Sequence, residues 1–187
     1  MTNYVALVRG VAPSTPPRNN ACILAALEKL DFLGRGLAPV LSSGNYVFSA
    51  ATADTDELEA QIEAAFVQEL GVELLTMVRS QQQIQRLLDE SPLAGVEHGK
   101  SSYQLVTFFK HPVDIGLELP NQPEGKAFQL AGCVDGTLYS LTDNTIGSTV
   151  NVMAWLEKRF TTELTSRTPG TLQKILNKMD KALDGIN

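Results

Sequence analysis

The sequence predicts an α+β fold made of two ferredoxin-like units in tandem, each a split βαβ arrangement on an antiparallel sheet. Three observations predict it. Residues 1–79 order themselves as strand, helix, strand, strand, helix, strand. The two middle strands of that series meet across Ser43-Gly44-Asn45, where a glycine marks a tight reversal. Residues 80–187 begin with a linking helix and then run through a similar series around Asp135-Gly136, a strong hairpin dipeptide. The domain boundary therefore falls near Arg79, with 1–79 as the first unit and 80–187 as linking helix plus second unit.

Each element has its own reason. Tyr4 to Val8 is a short, apolar run of strand formers without clean alternation, the pattern of a strand buried on both faces. A loop rich in Pro and Asn follows. Asn20 is the expected N-cap of a helix with Ile23, Leu24, Leu27 and Leu30 on one face, ending near Gly34. Leu37 to Leu41 reads as a strand, and Pro39, which has no N–H to give a ladder, puts it at a sheet edge. Gly44-Asn45 is expected to form a type II′ turn into the strand Asn45 to Ala50. Asp54 with Glu57 forms a capping-box pattern, followed by Leu58, Ile62, Phe66 and Leu70 at helical spacing and a glycine stop at Gly71. Residues 73–78 supply a fourth strand.

In the second half, Ser80 with Gln83 opens the linking helix, which Ser91-Pro92 stops. Tyr103 to Phe109 is a strand; residues 111–119 carry Gly and Pro marks that argue against a helix and leave room for one short helix at most. The strands around 127–134 and 137–141 flank Asp135-Gly136. A helix carrying Val152, Met153, Leu156 and Phe160 precedes a short strand at Glu163 to Ser166. Thr168 with Pro169 begins the last helix, whose buried face is Leu172, Ile175, Leu176, Met179 and Leu183. An apolar first strand needs cover on both sides, so the open sheet face is expected to be covered by the other unit, the linking helix or a second copy of the chain.

Composition excludes several functions. The 187 residues are 43% hydrophobic and 19% charged. Those are ordinary values for a chain that buries its own core without disulfides. Fifteen basic against 21 acidic residues leave a net charge of −6, which disfavours non-specific binding to nucleic acid or to an anionic membrane. No apolar run is long enough to span a bilayer and the N-terminal apolar run is too short for a signal peptide, so a cytoplasmic location is expected. Cys22 and Cys133 lack metal-ligand spacing and are expected to be small buried thiols. No carboxylate pair, metal cluster or dinucleotide fingerprint is visible, so no catalytic residue, metal ligand or cofactor is assigned.

Taken together, the start "YVALVRGV", the segment "LSSGNYVFSA", the capped helix "DTDELEAQIEAAFVQELG", the "VRS" before the linking helix and the closing "SRTPGTLQKIL" resemble the bacterial domain-of-unknown-function family numbered 1697. The resemblance covers nearly the whole chain in order and is strongest over residues 3–80. It implies two ferredoxin-like subdomains and no known activity, the family itself being uncharacterised. Arg9, Gly10, Ser43, Gly44, Asn45, Arg167, Thr171 and Lys174 match the family's pattern. The chain departs from it at Val11 to Pro17, at Gly147 to Val150 and at Thr168 to Gly170, where family members more often carry Gly- and Lys-bearing or Arg-Asn-Trp-Asn stretches.

The candidate site residues are few. Tyr46 and Phe48 are out of parity with the base-stacking aromatics of RNA-recognition strands, and a one-residue shift turns side chains to the other face. A nucleophilic Ser42 or Ser43 lacks its elbow motif, and His98 and His111 both fall in loop-like sequence. Arg9 and Gly10, ahead of a helix N-terminus, could hold an anion, although the following prolines remove backbone donors. Lys174, Lys178 and Lys181 form one stripe of the last helix and read most simply as its solvated face. The candidates for ligand binding are therefore Arg9, Gly10, Ser43, Asn45, Arg167 and Lys174. The expected function is a small-ligand-binding or interaction module, with an anionic small molecule as the partner and either a monomer or a homodimer as its state. The alternative is an enzyme acting on a phosphate- or carboxylate-bearing metabolite between the units.

Overall fold

A computed structural model of the chain describes residues 1–31, 36–52, 54–146 and 152–184. It contains two four-stranded antiparallel sheets, each with helices. In chain order the elements are β1 (Thr2–Val8), α1 (Asn20–Leu27), β2 (Ala38–Pro39), β3 (Asn45–Ala50), α2 (Thr55–Leu70), β4 (Thr76–Ser80) and α3 (Gln81–Asp89). There follow β5 (Tyr103–Phe109), β6 (Phe128–Val134), β7 (Thr137–Thr142), α4 (Val152–Arg159), β8 (Leu164–Arg167) and α5 (Pro169–Asp184). The first sheet has the order β2-β3-β1-β4 and the second β6-β7-β5-β8, the same ferredoxin-like arrangement twice.

The chain forms two compact units, Met1–Gln85 together with the chain from Gln173, and Arg86–Leu172. The last helix, which chain order places after the second sheet, thus contributes most of its length to the first unit. There Asn3 Nδ2 donates to Gln81 Oε1 at 2.9 Å and to the Met179 carbonyl at 3.5 Å, and Gln81 Nε2 donates to Asp180 at 2.7 Å.

In the first unit, one sheet face carries Tyr4, Ala6, Val8, Tyr46, Phe48 and Val78 into a core with Ile23 and Leu27 of α1 and Leu58, Ile62 and Phe66 of α2. The other face holds Val5, Leu7, Val47 and Met77, each at most 1% exposed. β1 is therefore buried on both sides, as its unbroken apolar run requires. Pro39 lies on the edge strand β2, where its missing N–H costs no ladder bond.

The edge of β4 is closed by side chains. Ala6 and Val8 face Val78 and Thr76 across the ladder, and the amides of those two β4 residues find carboxylates on α2. Val78 N donates to Glu59 Oε1 at 2.7 Å and Thr76 N to Glu63 Oε1 at 2.8 Å. Glu59 is 2% exposed and also meets Arg79 Nη1 at 3.3 Å. Unpaired edge amides invite strand addition, and one turn of helix spacing places two glutamates to occupy them.

The second unit repeats the sheet with a different first crossover. Residues 111–119 form no helix; Val113, Ile115, Leu117 and Leu119 pack against Phe109, Phe128, Leu138, Leu156 and Leu164. The apolar residues recur at every second position there, a period that suits an extended segment and not a helix. Asp135 and Gly136 join β6 to β7 with φ of 46° and 71°. Both are positive, as a type I′ turn requires.

Other expectations need correction. The N-cap of α1 is Asn19, whose Oδ1 accepts from Cys22 N at 2.9 Å, and Asn20 is the first helical residue with its side chain committed elsewhere. The expected helix end at Gly34, the Gly147 to Val150 departure and the side chain of Leu183 lie outside the described residues. Gly44 and Asn45 do not form a II′ turn. Val40 N donates to the Asn45 carbonyl, so Leu41 to Gly44 together make the reversal, and Gly44 sits at a φ of 77°. At α2, Asp54 accepts from Asp56 N and Glu57 N, while Glu57 turns to Gln61 and leaves the capping box half made. Ser80 and Gln83 make the reciprocal box in full. Cys133 is exposed and Cys22 half-buried, because β6 is an edge strand and Cys133 sits beside its turn.

Candidate functional site

The end of β1 and the loop before β3 meet, which brings four of the sequence candidates to one region of the first unit. Val8 N donates to the Gly44 carbonyl and Arg9 N to the Leu75 carbonyl, each at 2.8 Å. Gly10 is exposed, and the Arg18 guanidinium lies over it, 3.5 Å from where a Cβ would stand. Asn45 is fully buried, and its Nδ2 donates to the Val40 carbonyl at 2.9 Å and to Ser43 Oγ at 3.0 Å. The amide of Asn45 thus holds the loop in shape. Tyr46 and Phe48 point into the core.

Two further contacts fix the same loop. Tyr46 Oη donates to Asn20 Oδ1 at 2.7 Å, and Asn20 Nδ2 donates to the Leu41 carbonyl at 3.1 Å. Leu41 has a φ of 60°, an unusual conformation for a branched side chain. Such a backbone costs of order 1–3 kcal/mol and persists only where the surroundings impose it. A strained residue, clamped through its carbonyl and left 47% exposed, is a feature that packing alone does not explain.

That residue lines a groove. Pro39, Val40 and Leu41 form one wall, and Lys174, Asn177, Lys178 and Lys181 of α5 form the other, around about 300 Å³. The three lysines are at i, i+4 and i+7, so they occupy about 60° of the helix circumference and advance about 10 Å along its axis. All three are exposed, and among the described residues no carboxylate lies within salt-bridge reach of any of them. Asn177 Oδ1 accepts from Gln173 Nε2 at 3.1 Å. The wall therefore presents three cations to an apolar strip.

Arg167 sits in the second unit, at the end of β8, 8% exposed. Its Nη1 donates to Thr165 Oγ1 at 2.7 Å and to the Ser166 carbonyl at 2.8 Å. Burial pulls its pKa down from the usual arginine value to about 10, so the group stays protonated at neutral pH. Arg79 of the first unit is its counterpart. Arg79 faces Val5 of β1 and Arg167 faces Val106 of β5, and Arg79 Nη1 likewise donates to the carbonyl before it, Val78, at 2.7 Å. Each arginine precedes a capping residue, Ser80 or Thr168, at the head of a helix. Arg167 shares its setting with a residue that ties strand to helix.

A family model described as a protein of unknown function, DUF1697, matches residues 1–125. The chain belongs to that family. The DUF1697 match takes in the Pro39 to Leu41 wall, Arg9, Gly10, Ser43 and Asn45, and stops short of Arg167 and the α5 lysines. No curated protein matches the chain significantly in sequence. Among solved structures, the conserved bacterial protein SP0830 from Streptococcus pneumoniae is similar, with 19% identity, a TM-score of 0.71, and 96% of this chain and 99% of that one covered. At that identity the likeness is one of fold. Among the described residues no helix is long and apolar enough to cross a membrane, and no group of three or more His, Cys, Asp or Glu could hold a metal ion.

Lys174 is legible in the sequence as a candidate, and its setting is not. The stripe of Lys174, Lys178 and Lys181 is plain in the sequence; that it faces Pro39 and Leu41, near the other end of the chain, is not. Asn20 and Asn45 carry no sequence signal that separates a loop clamp from an ordinary polar residue.

Proposed function

We propose that this DUF1697 protein is a small-ligand-binding protein whose ligand carries phosphate or carboxylate groups and sits in the groove between α5 and the Pro39–Leu41 wall. The observation that carries the reading is the set of three ammonium groups, none within reach of a described carboxylate, turned toward a wall whose backbone is held under strain. The volume is at the lower end for small-molecule sites. Exposed ion pairs contribute about 0.2–1 kcal/mol each, so three of them hold a simple anion only weakly, and contact with Pro39 and Leu41 supplies the rest.

The test is an NMR titration of the labelled chain with inorganic phosphate and with malonate at low ionic strength. The expected result is saturable shifts confined to amides of residues 39–41 and 174–181, weakened by added salt. Shifts that are absent, or spread evenly over the surface lysines, would overturn the reading.

A further inference from the structure

The groove's geometry says more about its ligand than its sign of charge, and this inference rests on the anion-binding reading above. We infer that the ligand is an oligophosphate, a small molecule bearing two or more phosphoryl groups in a row. Lys174, Lys178 and Lys181 stand along a line on a single narrow stripe of α5. Their axial offsets from the first are about 6 Å and about 10 Å. One compact anion meets one or two of these ammonium groups and leaves the remainder unmatched. A chain of linked phosphoryl groups carries its charge along a line and meets all three.

The choice of cation points the same way. The planar fork of arginine fixes a single carboxylate or phosphate bidentately, whereas lysine acts as a point charge with three rotatable donors and imposes no plane on its partner. Among the described residues, the lining contains lysines and no arginine. Tetrahedral phosphoryl groups, each with several oxygens, can be shared between neighbouring ammonium groups without a fixed plane. The groove also remains small, and the chain's net charge of −6 opposes a long polyanion, which separates this ligand from a nucleic-acid backbone. Pro39 and Leu41, on the facing wall, leave an apolar surface for whatever the phosphate chain is attached to.

Calorimetric titration of the full chain with inorganic orthophosphate, pyrophosphate and tripolyphosphate, at one low ionic strength, tests this. Affinity is expected to rise by roughly tenfold from orthophosphate to tripolyphosphate, as two more weak charge pairs form. Lys181→Gln, an exposed change, is expected to bring tripolyphosphate down to the pyrophosphate level. Equal affinity for all three anions would remove the oligophosphate inference and leave the anion site standing. Unaltered binding in Lys174→Gln/Lys178→Gln/Lys181→Gln, or no binding to the parent chain, would remove both. Circular dichroism of each variant confirms that α5 is intact.

Discussion

Gly44 has two separate reasons to be glycine, and they can be measured apart. Its φ of 77° strains any other residue, and a Cβ there would stand 2.4 Å from the Val8 carbonyl oxygen and 2.7 Å from Val11 Cγ2. Gly71, the C-cap of α2, has a similar φ of 66° with nothing within 4 Å of its would-be Cβ. Gly71→Ala is therefore expected to cost about 1 kcal/mol, the conformational term alone. Gly44→Ala is expected to cost at least about 2 kcal/mol, because backbone oxygen cannot move aside as a flexible side chain can. Urea denaturation of both variants checks the difference; equal losses would show that the loop relaxes around the new methyl group.

Helix α2 and strand β4 work as one element, because two glutamates of the helix take the place of a further strand. Glu59→Ala removes the partner of the Val78 amide and of Arg79 in a buried setting. A loss of about 2–4 kcal/mol is expected. It falls below the full buried-pair range because the Arg79 side chain keeps 18% exposure. With Glu63→Ala added, the Thr76 and Val78 amides lose these carboxylate acceptors on an edge strand, and concentration-dependent self-association is expected. Light scattering after size exclusion reads it. A double variant that remained monomeric at every concentration would show that the edge is guarded by something other than these carboxylates.

For the whole molecule, the decisive assignment is that of the last helix to the first unit. Val5, Leu7, Val47 and Met77 are buried on the sheet face away from α1 and α2, and Asn3 on that face reaches Met179. Residues 1–79 expressed alone lack α5 and would bare this apolar face, which is expected to drive aggregation or dimerisation. Size exclusion and a urea melt of the fragment decide it: a monomer that unfolds cooperatively would show that the first unit needs no cover from beyond residue 79.

What the sequence determined by itself was local or periodic. The burial of β1 on both faces was legible because the unbroken apolar run from Tyr4 to Val8 leaves no polar face to expose. The Asp135-Gly136 turn, the Ser80–Gln83 box and the edge position of Pro39 were legible because each is fixed by the chemistry of one or two residues. The Gly44 loop was half legible: the positive φ was readable from the glycine, but the length of the reversal depended on where Val40 and Asn45 paired. At 111–119 a period of two was obscured by Gly and Pro markers, which argued against a helix without showing what takes its place. Only the tertiary structure decided what no local pattern encodes. It set the two α2 glutamates against the β4 amides, clamped Leu41 through Asn20 and Tyr46, and turned three lysines of α5 toward Pro39 and Leu41. Those contacts join residues of different elements, and side chains so distant in sequence meet only through the packing of the elements that carry them.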